Sequence, residues 1–97
     1  MNALERDSLG PYVRLLNDFL DGTIDASAFD AQFEQTYLAD PFPWSDNVFR
    51  VLDKLFAEAD AYCPDPGLFD PSLGDIGPEE LRRVCEGARS DLLRLME

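Results

Sequence analysis

Four segments of the chain place apolar residues at intervals of three and four positions, the spacing that gives a helix one buried face. This spacing predicts helices over residues 9–21, 25–38, 45–62 and 78–95. No segment alternates apolar and polar residues as a half-buried strand does, so no sheet is predicted. Four amphipathic helices in a 97-residue chain predict an all-α fold, an antiparallel up-down four-helix bundle with residues 1–97 forming a single domain.

Capping side chains mark where three of the predicted helices begin. Ser8 is predicted to cap the first helix, Asp25 the second and Ser45 the third, because short polar side chains accept hydrogen bonds from the free N–H groups of a first turn. Trp44, just before its cap, is expected to fold onto Phe49 as a hydrophobic staple. Phe49 is therefore predicted to lie on the buried face of the third helix. We find no internal repeat.

An acidic segment, residues 58–80, contains seven carboxylates and no positive charge, in a chain whose net charge is −12. It includes the long connection 63–77 between the third and fourth predicted helices, and connections of that length without regular structure are often functional. Such charge repels nucleic acid and anionic membranes and attracts basic proteins. We therefore expect the segment to bind a basic partner, without direct contact to nucleic acid or membrane.

The candidate partner-binding residues lie in or beside the acidic segment. Four aspartates recur there at five-residue steps, and the loop prolines are expected to hold them in place. Phe69 and its neighbour Leu68 are expected either to anchor the interface or to pin the loop onto the bundle. The alternative role for the acidic residues is that of solvated surface, without a partner. The candidates are Glu58, Asp60, Tyr62, Asp65, Phe69, Asp70, Asp75 and Glu79.

The residue types leave little room for catalysis. The chain has no histidine, which excludes Ser–His and Cys–His nucleophile pairs and imidazole metal sites. Cys63 and Cys85 are too few for a structural zinc site, and the aspartate spacing does not match an EF-hand loop. We expect no catalytic residues, no metal and no cofactor, with a calcium site and catalysis by carboxylates alone as alternatives. Nothing resembles a signal peptide or a membrane span, which predicts a cytoplasmic protein with reduced thiols.

The tripeptide Asp7-Ser8-Leu9 suggests one further alternative. Acyl carrier proteins are small acidic four-helix bundles that bear phosphopantetheine on the serine of an Asp-Ser-Leu sequence. In those proteins the serine opens the second helix, whereas no helix is predicted here before Ser8. Capping is therefore the role we expect for Ser8.

Two stretches of the chain resemble immunity proteins of the colicin D type, including relatives that act in contact-dependent growth inhibition. The first, FLDGTIDASAFDAQFEQTY, is similar in its short helix, its Gly-containing turn and its Phe-rich second helix. The second, VLDKLFAEADAYCPDPGLFDPSLGDIGPEELRRV, is similar in its Leu-Phe helix, its acidic loop and its final helix. Together they cover more than half of the chain.

The resemblance implies a four-helix bundle that binds and inhibits a bacterial toxin, most simply a nuclease that cuts transfer RNA. It implies that carboxylates of the acidic segment fill the basic groove of the toxin, with one monomer bound to one toxin. The main alternative is an acidic adaptor or nucleic-acid mimic that binds another basic protein. If the acidic segment is only solvated surface, the interface is expected on the outer faces of the first two helices, around Asp18, Asp30 and Glu34.

Overall fold

The structure, a computed structural model of residues 1–97, is built from α-helices and one turn of 3₁₀-helix, Pro71–Leu73. It contains no strand, and the only β-type pairing is a single bridge between Tyr62 and Ile76. The predicted all-α class is therefore confirmed. A short helix is followed by four long ones: α1 (Ala3–Ser8), α2 (Gly10–Leu20), α3 (Ala26–Ala39), α4 (Asp46–Asp60) and α5 (Pro78–Leu95).

The four long helices pack in a closed ring, an arrangement compatible with a helical bundle. Each packs against the next along the chain, and α5 returns to pack against α2. At that junction the Arg82 guanidinium donates hydrogen bonds to the carbonyl oxygens of Phe19 and Leu20. Because the last carbonyls of a helix have no partner within it, Arg82 of α5 completes the end of α2.

Aromatic rings spaced four residues apart form the centre of the core. Phe29, Phe33 and Tyr37 follow one face of α3, with ring centroids 5.7 and 5.8 Å apart along the row. Phe19 of α2 extends the row, 5.1 Å from the Phe29 ring. Such pairs contribute roughly 0.5–1.5 kcal/mol each beyond the burial of their area. The Phe-rich sequence of α3 thus supplies both the volume and the geometry that join α2 to α3.

The predicted cap of α3 is confirmed, and a glycine follows the helix before it. Asp25 caps α3, its carboxylate accepting a hydrogen bond from the Ala28 N–H at 2.8 Å. Gly22 follows the end of α2 with φ of 86°, a left-handed conformation that a side chain would strain.

The predicted role of Ser8 is wrong, because a helix does precede α2. Asn2 caps α1 through a 2.8 Å bond from the Glu5 N–H, and Ser8 is the last residue of that helix. The Ser8 hydroxyl donates to the Leu4 carbonyl oxygen at 2.8 Å instead of capping a new turn. Leu9, between the two helices, keeps right-handed helical angles, so α1 runs almost directly into α2.

The start of α4 also differs from its prediction. Ser45 is in the capping position, but its hydroxyl makes no bond to the first turn and donates to Glu5. Phe49 is about half exposed, at 48 %, and Val48 takes the buried position beside it. Phe49 is therefore not on the buried face, contrary to the prediction, although it lines a surface recess together with Trp44. Trp44 itself packs on Phe42, with ring centroids 4.4 Å apart. Val48 lies four residues before Leu52 and seven before Leu55, so helical spacing places it on the buried face and Phe49 at the border of that face.

Asp40 organises the connection between α3 and α4. Its carboxylate accepts hydrogen bonds from the Tyr12 hydroxyl at 2.7 Å, from the Trp44 indole N–H at 3.2 Å and from the Phe42 N–H at 2.9 Å. Burial, and then the bond to Asp40, raise the pKa of Tyr12, which therefore stays a neutral donor. This one carboxylate ties α2 to a connection whose prolines cannot supply N–H donors of their own.

Glu5 is the one charged residue buried in the fold, at 6 % exposure. Its Oε1 accepts from the Ser45 hydroxyl at 2.6 Å and from the Ser45 N–H at 2.9 Å, which joins α1 to the start of α4. These bonds to the charged form lower the pKa of Glu5 from its ordinary value of 4.5, and they outweigh the opposing effect of burial.

Replacing Glu5 with glutamine tests this link. Glu5→Gln keeps an oxygen acceptor but removes the charge, so we expect the free energy of unfolding to fall by about 1 kcal/mol at pH 7. Since the folded-state pKa of Glu5 is lowered, its stabilisation is present above pH 4.5 and is lost as the pH falls below that value. Urea unfolding at pH 7 and at pH 3.5 should therefore show the two proteins converging in acid.

The matched control is Asp7→Asn on the same helix, where the carboxylate is exposed and makes no hydrogen bond. We expect it to change stability by less than about 0.5 kcal/mol at either pH. Equal effects of the two substitutions, or a Glu5→Gln protein as stable as wild type at pH 7, would show that the Glu5–Ser45 link contributes nothing.

Candidate functional site

The α4–α5 loop, residues 61–77, is closed at its base by backbone hydrogen bonds. The Ile76 N–H donates to the Ala61 carbonyl at 2.9 Å, and the Cys63 N–H donates to the Ile76 carbonyl at 3.1 Å. The chain between these bonds therefore leaves the bundle and returns to the same place. Compact surface loops whose ends meet in this way hold their shape through their own contacts and are frequently functional.

Two consecutive turns of identical design shape this loop. In the first, Asp65 Oδ1 accepts from the Gly67 N–H at 2.9 Å, while the Leu68 N–H donates to the Asp65 carbonyl at 3.0 Å. In the second, Asp70 Oδ1 accepts from the Ser72 N–H at 2.9 Å and from its hydroxyl at 2.6 Å. The Leu73 N–H likewise donates to the Asp70 carbonyl at 3.0 Å.

Each turn has the sequence Asp-Pro-X-Leu, with proline at the position where its fixed φ suits a turn. The sequence DPGLFDPSLG is thus a tandem repeat with a five-residue step, and the expectation of a chain without internal repeats is wrong at this short scale. The repeat also accounts for the spacing of Asp65 and Asp70, since an aspartate is needed at the start of each turn.

Asp75 closes the second turn by bonding back to its first residue. Its Oδ2 accepts from the Asp70 N–H at 3.1 Å, and Gly74 reverses the chain between them with φ of 88°. Asp65, Asp70 and Asp75 therefore each use one carboxylate oxygen to hold the loop. None of them pairs with a cation, because the three ion pairs of the structure all lie within helices α4 and α5.

Glu58 and Asp60, at the end of α4, lie in different surroundings from the loop acids. Glu58 is 3.7 Å from the Lys54 ammonium one turn earlier, so its charge is partly compensated. The i, i+4 spacing of these residues is a signal for that pair in the sequence. Asp60 is exposed and lines a groove between α3 and α4 together with Asp30 and Glu34. Burial, and then the charges of Glu34 and Asp60, raise the pKa of Asp30.

The structure thus brings Asp60 together with Asp30 and Glu34. Asp30 and Glu34 are two residues that sequence reasoning placed only on an alternative surface. Their four-residue spacing puts them on one face of α3, but their proximity to Asp60 follows from the packing of α3 on α4. That packing could not be read from the spacing alone.

The aromatic candidates differ in exposure. Tyr62 is half-buried against the core, and its hydroxyl lies 3.3 Å from the Ser27 hydroxyl. Phe69 is 37 % exposed. Leu68 and Leu73, the last residues of the two turns, are 72 % and 78 % exposed, more than any other large apolar side chain of the chain. Leu73 was not among the residues expected from the sequence.

The remaining candidate, Glu79, is exposed in the first turn of α5, where the helix dipole favours a negative charge. Its neighbour Glu80 reaches back to accept a hydrogen bond from the Gly77 N–H. No group of three or more acidic or cysteine side chains is arranged to hold a metal ion.

Cys63 is half-buried and Cys85 is fully buried, and neither forms a disulfide. Burial raises the pKa of Cys85 to about 12, so its thiol stays protonated and unreactive. None of the helices combines the length and the apolar character needed to cross a membrane.

Residues 8–92 match the sequence model of a protein family described as bacterial self-protective colicin-like immunity. The match includes α2, α3, α4, the whole α4–α5 loop and α5 as far as residue 92. Comparison with curated proteins and with solved structures found no significant match.

The role of Asp70 in holding the loop can be separated from its charge. Asp70→Ala removes the acceptor for both Ser72 bonds, and loss of such a cap costs about 1 kcal/mol. Hydrogen exchange measured by NMR should therefore speed up roughly fivefold at the Ser72 amide. Asp70→Asn keeps an oxygen in the same place, so we expect a clearly smaller change. Asp65→Ala serves as the matched control, affecting Gly67 but leaving Ser72 unchanged.

Equal exchange at Ser72 in the Asp70→Ala and wild-type proteins would contradict this role. Equal acceleration of exchange at Ser72 by Asp70→Ala and Asp70→Asn would also contradict it. The loss of charge, rather than the loss of the hydrogen-bond acceptor, would then explain the effect.

Proposed function

Since the chain belongs to the family of bacterial self-protective colicin-like immunity proteins, which neutralise toxins, we propose that its partner is a nuclease toxin, most simply one that cuts transfer RNA. The chain binds the basic substrate groove of that toxin with the carboxylates of its acidic segment. The observation that carries this proposal is the fixed, unpaired state of Asp65, Asp70 and Asp75. No lysine or arginine lies between Lys54 and Arg82 to compensate them.

The charge of such a groove supports the pairing. A nuclease holds the phosphates of its substrate with lysine and arginine, and these cations remain when the RNA is absent. The loop aspartates present negative charge in a similar way but contain no bond that the nuclease can cut. Because Asp65 and Asp70 are already ordered by their own turns, binding costs less conformational entropy than it would with a flexible acidic loop.

An up-down antiparallel bundle of one domain suits this proposal, because it would place the loop at one end of the molecule. Contacts between neighbouring helices support that arrangement. Phe19 at the end of α2 stacks on Phe29 near the start of α3, and Tyr12 near the start of α2 bonds to Asp40 after α3. We propose that the chain acts as a cytoplasmic monomer, one per toxin, with no catalysis of its own.

The candidate residues take different roles in this proposal. The loop aspartates contact the toxin, each with the carboxylate oxygen that its turn leaves free. Glu58 contributes less, since Lys54 already faces it. Asp60 and Glu79 lie beside the loop as exposed charges that steer the partner, and Tyr62 acts at the base of the loop, where it is held near Ser27.

Two other functions remain to be separated by experiment. An acidic adaptor for another basic protein would use the same surface charge but would not protect cells from a toxin. A carrier function is not favoured, because the Ser8 hydroxyl lies at the end of α1 and bonds to Leu4 rather than opening a helix. Intact mass after expression with a phosphopantetheinyl transferase would reveal a cofactor on Ser8.

The direct test uses the cognate toxin domain, to be sought in the reading frames next to the gene for this chain. The variant carries Asp60→Asn, Asp65→Asn, Asp70→Asn and Asp75→Asn, which keep the shape of each side chain and remove its charge. We expect it to stay folded, to bind more than tenfold more weakly and to stop protecting cells. Truncating one partner of a buried charge pair costs on the order of 2–5 kcal/mol, much of it from the cation left unpaired.

A control variant with the same change of charge carries Asp7→Asn, Asp18→Asn, Asp46→Asn and Asp91→Asn, all outside the acidic segment. It should bind and protect as wild type does. Loss of binding in the control but not in the loop variant would move the interface to the helix faces. Tight binding by the wild-type chain without protection would favour the adaptor.

A further inference from the structure

Leu68 and Leu73 are exposed in a way that the proposed charge contacts do not explain. The exposed fraction of Leu68 is 72 %, and that of Leu73 is 78 %. Single exposed leucines are common on protein surfaces, and Leu4 and Leu38 are examples in this chain. What distinguishes Leu68 and Leu73 is that they repeat on one loop. The two leucines occupy the same position in the two Asp-Pro-X-Leu turns, so a single design presents both of them.

The turns also fix the backbone that carries each leucine. The Leu68 N–H is bonded to the Asp65 carbonyl and the Leu73 N–H to the Asp70 carbonyl, both at 3.0 Å. Asp75 closes the second turn through the Asp70 N–H. Each leucine is therefore presented on an ordered backbone, three residues after a carboxylate that has one free oxygen.

We propose that Leu68 and Leu73 are the apolar anchors of the interface, each entering a hydrophobic recess of the partner that lies beside a lysine or arginine. The inference rests on the proposed function, and it specifies the chemistry of the toxin surface. The chemistry of the partner surface follows from charge complementarity. The loop around both leucines carries only negative charge, so a partner that covers them must present cations at their borders. An acidic or neutral apolar surface has no such cations. It would remove water from the loop carboxylates and give them no charged partner in return.

The two kinds of contact act on different rate constants. Charges at the rim of an interface mainly change the association rate and its dependence on salt. Apolar contact forms only in the docked complex, so its loss appears in the dissociation rate. Aspartate substitutions should therefore slow association at low salt, whereas leucine substitutions should speed dissociation equally at low and high salt.

The experiment measures binding of the cognate toxin domain by surface plasmon resonance at two salt concentrations. We expect Leu68→Ser and Leu73→Ser each to raise the dissociation rate about tenfold, which is what burial of most of a leucine side chain is worth. The association rate and its salt dependence should stay as in wild type. Leu68→Met and Leu73→Met, which remain apolar, should restore most of the residence time.

Leu4→Ser and Leu38→Ser are the matched controls, because these leucines are 68 % and 66 % exposed but lie on α1 and α3. They should dissociate as wild type does. Thermal unfolding checks that all the variants fold, as expected for exposed positions. Wild-type dissociation rates for both Leu68→Ser and Leu73→Ser, or equal acceleration by the controls, would overturn the proposal.

The outcomes separate this inference from the proposed function. If the aspartate variant weakens binding and the serine variants do not, Leu68 and Leu73 are not anchors, but the proposed immunity function stands. If the wild-type chain does not bind the toxin domain at all, the proposed function fails and the anchors fail with it.

Discussion

Hydrogen bonds from backbone N–H groups to carboxylates are the interaction on which the rest of this structure depends. The chain has twenty acidic and eight basic residues, so most of its carboxylates cannot find a cation. The three ion pairs that do form are exposed and join residues of the same helix, where such pairs contribute little. Eight carboxylates accept from the backbone instead: Glu5, Asp21, Asp25, Asp40, Asp65, Asp70, Asp75 and Glu80.

These bonds let carboxylates hold the structure while they stay charged for the proposed recognition of a toxin. Glu5 and Asp40 fix α1 and the α3–α4 connection to the bundle, at points where apolar packing alone would not define the path of the chain. Asp65 and Asp70 fix the α4–α5 loop in the same way. A bond to an N–H holds a carboxylate without cancelling its charge, whereas an ion pair would cancel it. The loop is therefore both ordered and strongly negative, which is the combination that a basic toxin groove requires.

The sequence allowed the fold class and the long helices to be predicted, because apolar spacing and caps act locally. It did not show α1, whose burial of Glu5 depends on Ser45, forty residues away. Val48 rather than Phe49 is buried in α4, because Val48 shares the helical face of Leu52 and Leu55. At the candidate site, the charge of the loop aspartates could be read from the sequence, but their hydrogen bonds within the Asp-Pro-X-Leu turns were not predicted. Leu73 was missed because a leucine in a loop is ordinarily taken for a residue that folds back onto the core.

The central claim is that the acidic α4–α5 loop is the surface that meets the toxin. The most direct test is a titration of the ¹⁵N-labelled chain with the unlabelled toxin domain, followed by the backbone amide signals in NMR spectra. The account predicts the largest shifts and line broadening between Asp60 and Glu79, strongest from Asp65 to Asp75, with little change on the outer face of α3. Unchanged loop signals, with the main shifts around Asp18, Asp30 and Glu34, would contradict it.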